Sequence, residues 1–276
     1  MFGHETLSGY LSGYPRIEAH RPWPRYRLGE PAWRTLVEHL AVEDWVLLGL
    51  WGDGTEVHAA LRDEENADIA VVSLDCPRRR FPSLARIRPG ALRLERAIHD
   101  LYGLTPVDCP DQRPWLDHGR WTSRHPLGAH HPPAPEPYSY NFLTAEGAGL
   151  HQIPVGPVHA GIIEPGHFRF HCAGEAVVRL EERLGYVHKG TEGLMTGRTL
   201  AEAARLAGRV SGDSTVAYAL AFARAAEAAL DIEVPARAHW LRALMAELER
   251  IANHVFDFGA VCNDAAYAIM LAECTT

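Results

Sequence analysis

Sixteen histidines are the most obvious source of chemistry in this 276-residue sequence, because imidazole titrates near neutrality and can both move protons and bind metals. None falls in an H-E-x-x-H or H-x-H spacing, so their order spells no standard metal site. His159 and His167 stand apart: Gly161, Pro165 and Gly166 lie between them, and the segment reads as a loop ahead of a strand, where a side chain can point into a cavity. The five cysteines, Cys76, Cys109, Cys172, Cys262 and Cys274, are far apart and form no C-x-x-C pair. They read as buried free thiols, not as a zinc knuckle or a disulfide framework. No G-x-G-x-x-G or P-loop occurs, so NADH is not expected to bind this chain.

The elements that would position these residues fall into two parts. Trp45–Trp51, Gly52-Asp53-Gly54 and Thr55–Leu61 read as a β-hairpin with a turn that tolerates positive φ, and Asp68–Leu74 reads as a third strand. From Pro89 onward, Leu92, Leu94, Ile98, Leu101 and Leu104 take helical spacing, and Gly103 is placed to stop the helix. Between Gly119 and Gly149 come Pro126, Pro132, Pro133, Pro135 and Pro137, which deny helix and central strand and mark a linker. Beyond it, Phe168, Phe170 and Cys172 alternate with Arg169 and His171, and Ala176, Val178 and Leu180 alternate again after Gly174, a second hairpin. Pro235 then opens a helix whose Leu241, Leu244, Leu248, Ile251, Val255 and Phe258 share one face, as in a packed bundle. An apolar segment at Ala265–Ala272 reaches the end of the sequence before any stop signal, so the bundle reads as incomplete or as borrowing packing from a partner. The expected class is α+β: a small α/β domain over residues 1–118, a Pro-rich linker over 119–150, and a hairpin plus helical bundle over 151–276.

Charge and length narrow the function. Twenty-seven Lys and Arg against 35 Asp and Glu leave a net charge of -8, which argues against general nucleic-acid binding; the run Arg78-Arg79-Arg80 reads as a solvated turn. The apolar runs fall far short of the roughly 20 residues that span a bilayer. The first ten residues show no secretory pattern, and a cytosolic chain is expected.

Glu95-Arg96-Ala97-Ile98-His99-Asp100-Leu101-Tyr102-Gly103-Leu104, Pro110-Asp111-Gln112-Arg113-Pro114-Trp115-Leu116 and Phe81-Pro82-Ser83 resemble the 30 kDa subunit of respiratory complex I. Read from the residues alone, Glu95, Arg96 and Asp100 could equally be helix-face ion pairs of little energetic weight. Ile153–Gly161, Glu164–Phe170 and Gly185–Glu192 resemble the large subunit of group 4 energy-converting [NiFe]-hydrogenases, the relative of the 49 kDa quinone-site subunit of complex I. Ile232–Arg237 and Arg250-Ile251-Ala252-Asn253-His254 fit both families, in the order of a fused 30 kDa plus 49 kDa chain.

This resemblance implies roles for particular residues. In hydrogenases the positions of Ser211 and Ser214 are cysteines that hold nickel and iron as soft thiolates; serine hydroxyls are hard, weak donors, so that half of the metal site should not assemble. A second cysteine pair, found near the end of longer family chains, has no counterpart here, and Tyr218 replaces a histidine. His167 matches by position a quinone-binding histidine of complex I, whose tyrosine partner falls at Gly212, with Tyr218 farther along. Glu192 matches a proton-transfer glutamate, although its place beside a helix start equally suits a carboxylate that pairs backbone amides. Lys189 matches a basic residue of both families. Arg209 matches an arginine near the neighbouring iron–sulfur cluster, where a cation would raise the reduction potential, and an ion pair with Asp213 or Glu192 is compatible with that. Asp213 is a candidate proton carrier or a hydrogen-bond partner of the serines.

The implied protein is a peripheral-arm subunit of a membrane-bound complex I-like oxidoreductase, on the cytoplasmic side of the inner (cell) membrane. It would hold no cofactor itself. A [4Fe–4S] cluster is expected in an adjacent small subunit, quinone is a candidate acceptor, and antiporter-like membrane subunits are expected partners that move ions. The rival expectation is a scaffold with a vestigial site; an active [NiFe]-hydrogenase is not expected.

Overall fold

The computed structural model describes residues 5–133, 136–137, 139–158 and 164–276. The class is α+β, and the chain divides into two compact units, Met1–Phe142 and Leu143–Thr276.

In the first unit the elements are α1 (Leu7–Leu11), β1 (Arg25–Leu28), α2 (Glu30–Val42), β2 (Trp45–Asp53), β3 (Glu56–Asp63), β4 (Ile69–Asp75), β5 (Arg80–Pro82), α3 (Ala91–Tyr102) and β6 (Thr105–Val107). The main sheet has the order β1-β4-β3-β2, with β1 parallel to β4 and the other pairs antiparallel, while β5 and β6 form a short parallel pair. Asp53 pairs with Glu56, so the hairpin loop is Gly54-Thr55, and Gly54 carries the positive φ of +59° that the turn needs. Helix α2 starts with Pro31 in its first turn and sets Trp33, Leu36 and Leu40 on one face, fully buried against Val57, Ala59, Leu61 and Val72 of the sheet. Helix α3 ends at Gly103, whose φ of +69° is the left-handed cap the sequence predicts; a Cβ there would run into the Arg79 guanidinium and the His125 ring.

Two sequence expectations change here. Arg79 is not a solvated turn residue: it has φ +56°, is half-buried, and donates from its guanidinium to the Tyr102 carbonyl at 3.4 Å, capping α3. Glu95, Arg96 and Asp100 are not surface ion pairs either, since all three are buried and bond to loops. Glu95 accepts from Ser83 Oγ and from the Leu84 and Ala85 amides. Arg96 donates to the Arg113 and Pro114 carbonyls, and Asp100 accepts from the amides of Trp115, Leu116 and Asp117. The resembling segment on α3 is therefore bonded to both of the other two, Phe81–Ser83 and Pro110–Leu116. The contact extends into the proline-rich stretch, whose described residues up to 142 form no helix or strand: His125 lies buried with Nδ1 against the Asp100 carbonyl at 3.2 Å, and Tyr140 packs under Arg113. The division of the chain places residues up to Phe142 in the first unit.

On the opposite face of β3 from Val57, His58 is buried with Nδ1 2.9 Å from Ser73 Oγ and 3.3 Å from the Arg25 guanidinium. Burial and the Arg25 cation push its imidazole down to about 4. The folded state holds His58 neutral while the unfolded chain protonates it below pH 6.5, so stability is lost as the pH falls from 6.5 to 4. The loss reaches about 3 kcal/mol at roughly 1.4 kcal/mol per pH unit. His58→Gln is expected to flatten this slope in urea midpoints measured at pH 7 and pH 5; an unchanged slope would show that His58 does not carry it.

The second unit contains β7 (Leu150–Val158), β8 (Gly166–Ala173), β9 (Ala176–Arg183), α4 (Thr191–Met195), α5 (Leu200–Ala207), a 3-10 turn at Gly212–Ser214, α6 (Thr215–Ala229), α7 (Ala236–Asp264) and α8 (Ala268–Cys274). The expected hairpin is β8–β9, turned at Gly174 with φ +59°. Strand β7 is additional: it contains Pro154 and Pro157, which the edge position in the order β7-β8-β9 tolerates, and its register breaks between Val155 and Val158. The sheet buries its polar face, with His167 9%, His171 1% and Glu181 7% exposed, while Ile153, Val155, Val177 and Leu180 are exposed. Helix α7 forms as predicted, but its stripe of Leu241, Leu244, Leu248, Ile251, Val255 and Phe258 is 42–57% exposed, uncovered by the described residues. Gly259 lets α8 approach α7, since a Cβ would stand 2.8 Å from that of Cys274. No helix among the described residues is long and apolar enough to cross a membrane.

Candidate functional site

His167 lies in β8, not in the loop expected for it, because pairing of His167 with Arg183 and of Val158 with Gly166 extends the strand back to Gly166. Its Nδ1 is 3.0 Å from the Gly156 carbonyl and so carries the proton, leaving Nε2 to accept from the Arg169 guanidinium at 3.4 Å. Two places along the same face, His171 Nδ1 accepts from Arg179 at 3.1 Å and His171 Nε2 faces Glu181 at 3.9 Å. Glu181 also accepts from the Leu143 amide at 3.0 Å, and Arg179 donates to the Thr144 carbonyl at 2.8 Å. His171, Arg179 and Glu181 were not singled out by sequence reasoning; the alternation of Arg169 and His171 with Phe168 and Phe170 signals a polar face but not that this face is the covered one. His159 lies outside the described residues.

The other candidates gather around the start of α6. Lys189 donates from Nζ to the Val210 carbonyl at 3.1 Å. Ser211 precedes the 3-10 turn and Ser214 ends it; both are half-exposed, while Asp213 and Arg209 are exposed. Neither the expected Arg209 ion pair with Asp213 or Glu192 nor an Asp213 hydrogen bond to the serines forms among the described residues. Glu192 is in the first turn of the five-residue α4, exposed, and Tyr218 is 44% exposed on α6. Asn253 of α7 donates from Nδ2 to the Asp213 carbonyl of the 3-10 turn at 2.7 Å. Glu249 accepts from the Val216 and Ala217 amides at 2.5 and 3.1 Å. Glu247 pairs on the surface with Arg250 at 3.1 Å.

With hydroxyls at 211 and 214, this segment offers no thiolate, and its donor set does not fit a soft nickel–iron centre. Cys262 and Cys274 stand on other helices, and Cys172 is buried in β8. Two clefts of about 360 and 530 Å³ on the first unit share Arg34 and Val107 and contain none of the candidate residues.

Residues 29–137 match the family described as the 30 Kd subunit of respiratory-chain NADH dehydrogenase, and residues 189–262 match the nickel-dependent hydrogenase family. The class is therefore a two-part chain that joins a complex I 30 kDa-type domain to a hydrogenase large-subunit-type domain. Hydrogenase-4 component G of Escherichia coli (strain K12) is 38% identical over 214 residues, covering 74% of this chain and 39% of that protein. Formate hydrogenlyase subunit 5 of the same organism is 34% identical, covering 70% and 36%. The C/D subunit of NADH-quinone oxidoreductase from Phocaeicola vulgatus is 26% identical, covering 78% and 46%. The chain belongs to the complex I and group 4 hydrogenase family, in the fused order of its 30 kDa-type and large-subunit-type domains. It spans less than half the length of these three relatives.

Proposed function

We propose that this chain is part of a peripheral-arm subunit of a membrane-bound, complex I-like energy-converting oxidoreductase. In this reading it docks an iron–sulfur subunit that holds a [4Fe–4S] cluster, passes its electrons to a non-nickel acceptor of quinone type, and couples that step to antiporter-like membrane subunits. The assembly sits on the cytoplasmic side of the inner (cell) membrane. The observation that carries the reading is the pair Ser211 and Ser214, hydroxyls on a backbone gripped from outside by Lys189, Glu249 and Asn253, at the place where the hydrogenase family has thiolates. Quinone reduction consumes two electrons and two protons. Arg209 carries a cation with no ion pair among the described residues, which would stabilise the incoming electron, and Glu192 and Asp213 are exposed carboxylates able to pass protons.

A scaffold without catalysis is the second reading, favoured by His167, whose two ring nitrogens are both engaged within the sheet. The assembled complex separates the two. Under the catalytic reading, Glu192→Gln and Arg209→Met are expected to lower decylubiquinone turnover by about 10²-fold, and elemental analysis is expected to find no stoichiometric nickel. Unchanged turnover with both quinone and viologen acceptors would leave the scaffold reading.

A further inference from the structure

We propose that Lys189, Glu249 and Asn253 are positioning residues that fix the backbone of Val210–Ala217 from outside, and that Glu249 caps α6 in place of Ser214, leaving the Ser214 hydroxyl available to a ligand. The proposal rests on the reading that this segment faces the electron acceptor.

The first amides of a helix have no partner within it, and a serine at the N-cap ordinarily supplies one through its side-chain oxygen. Ser214 occupies the N-cap of the 15-residue α6, yet its hydroxyl caps nothing. The amides of Val216 and Ala217 donate instead to the two carboxylate oxygens of Glu249, a residue of α7 more than thirty positions away. Asn253 lies one turn farther along the same face of α7 and donates to the Asp213 carbonyl. Lys189 holds the Val210 carbonyl, and Thr215 Oγ1 donates to the Gly212 carbonyl at 3.2 Å. The backbone of the segment is thus engaged at Val210, Gly212, Asp213, Val216 and Ala217. The side chains of Ser211, Asp213 and Ser214 form no hydrogen bond or ion pair among the described residues. Fixed backbone with uncommitted side chains is the arrangement that presents polar groups to a ligand without reorganisation. A serine spent as its own helix cap would have one lone pair and its rotamer committed to the backbone.

Amide hydrogen exchange on the 276-residue chain tests the division of labour. Glu249→Ala is expected to speed exchange of the Val216 and Ala217 amides about tenfold, the effect of losing a cap, and Glu249→Gln, which keeps an acceptor oxygen, to recover most of it. Ser214→Ala alone is expected to change exchange by less than about twofold, but to add roughly fivefold in the Glu249→Ala background, where the hydroxyl has become the cap. Tenfold acceleration by Ser214→Ala alone, or no acceleration by Glu249→Ala, would overturn the proposal. Should Glu249→Ala lose its helical circular dichroism, Glu249→Gln against Ser214→Ala gives the same decision: Glu249→Gln must move the two amides more. In the assembled complex, Glu249→Ala is expected to raise the KM for decylubiquinone. Accelerated exchange with unchanged kinetics would leave the capping role standing and remove the acceptor from this segment.

Discussion

Replacing Glu95 by alanine is expected to destabilise the first unit by about 4 kcal/mol, because three buried donors lose their acceptor at roughly 1–3 kcal/mol each, only part of which entering water recovers. Ser83 Oγ lies 2.7 Å from the carboxylate, the Leu84 and Ala85 amides at 2.5 and 3.1 Å, and Glu95 is completely buried. Glu95→Gln keeps one oxygen for the two amides and is expected to cost only about 1 kcal/mol, since Ser83 can turn to accept from the new amide group. Burial pushes the Glu95 carboxyl above its ordinary range, against the hydrogen bonds from Ser83, Leu84 and Ala85. For a carboxyl raised in the fold, the contribution to stability is full below the unfolded pKa and is lost as the pH rises through the folded one. The gap between wild type and Glu95→Gln should therefore widen as the solution is acidified, and comparing the two proteins cancels the opposite slope from His58. Urea midpoints followed by tryptophan fluorescence measure both effects. A wild-type midpoint in Glu95→Ala would mean that the loop at Ser83–Ala85 does not depend on this carboxylate.

Glu95 also marks where sequence reasoning stopped. Period and punctuation were enough for β2–β4, α3 and its Gly103 stop, because alternating or three-and-four spacing of apolar residues fixes both the element and its inward face. Polar residues carry no such polarity. Glu95, Arg96 and Asp100 read as ion-pairing surface groups because their partners, the amides and carbonyls of Ser83–Ala85 and Arg113–Asp117, are backbone atoms that no residue type announces. Only the resemblance set those segments side by side. The same blindness hid Glu249, whose partners are also backbone amides, and made the β7–β9 sheet hard to orient. Its alternation of Phe168 and Phe170 with Arg169 and His171 was plain, but in this chain the segment at Leu143–Thr144 covers the polar side. Strand β7 was masked by Pro154 and Pro157, which exclude a central strand but not an edge one. The apolar stripe of α7 was legible as a helix face, and its exposure depends on what other helices are present, which periodicity does not encode.

Converting Ser211 and Ser214 together to cysteine is expected to raise the affinity of the chain for Co2+ about a thousandfold. Four-ligand thiolate and imidazole sites bind with roughly 10–16 kcal/mol, and two thiolates at C-x-x-C spacing should supply about a third of that. Position 214 stands at the N-terminus of α6, where the helix field lowers a cysteine pKa, and the Glu249 carboxylate on the Val216 and Ala217 amides offsets part of that effect. Two of the five native thiols compete weakly: burial pushes Cys76 up to about 12 and Cys109 up to about 11, so both stay protonated at neutral pH, and the wild-type titration accounts for the other three. The measurement is the thiolate-to-cobalt charge-transfer absorption in the near ultraviolet, titrated in wild type and in Ser211→Cys/Ser214→Cys. Each single variant is expected to fall well short of the double one, since a lone thiolate forms no chelate. If the double variant gains no such band while retaining its helical circular dichroism, the segment's geometry, and not the exchange of sulfur for oxygen, keeps a soft metal away. If wild type already binds Co2+ as tightly, other donors hold the ion, and the two serines no longer separate this chain from a hydrogenase.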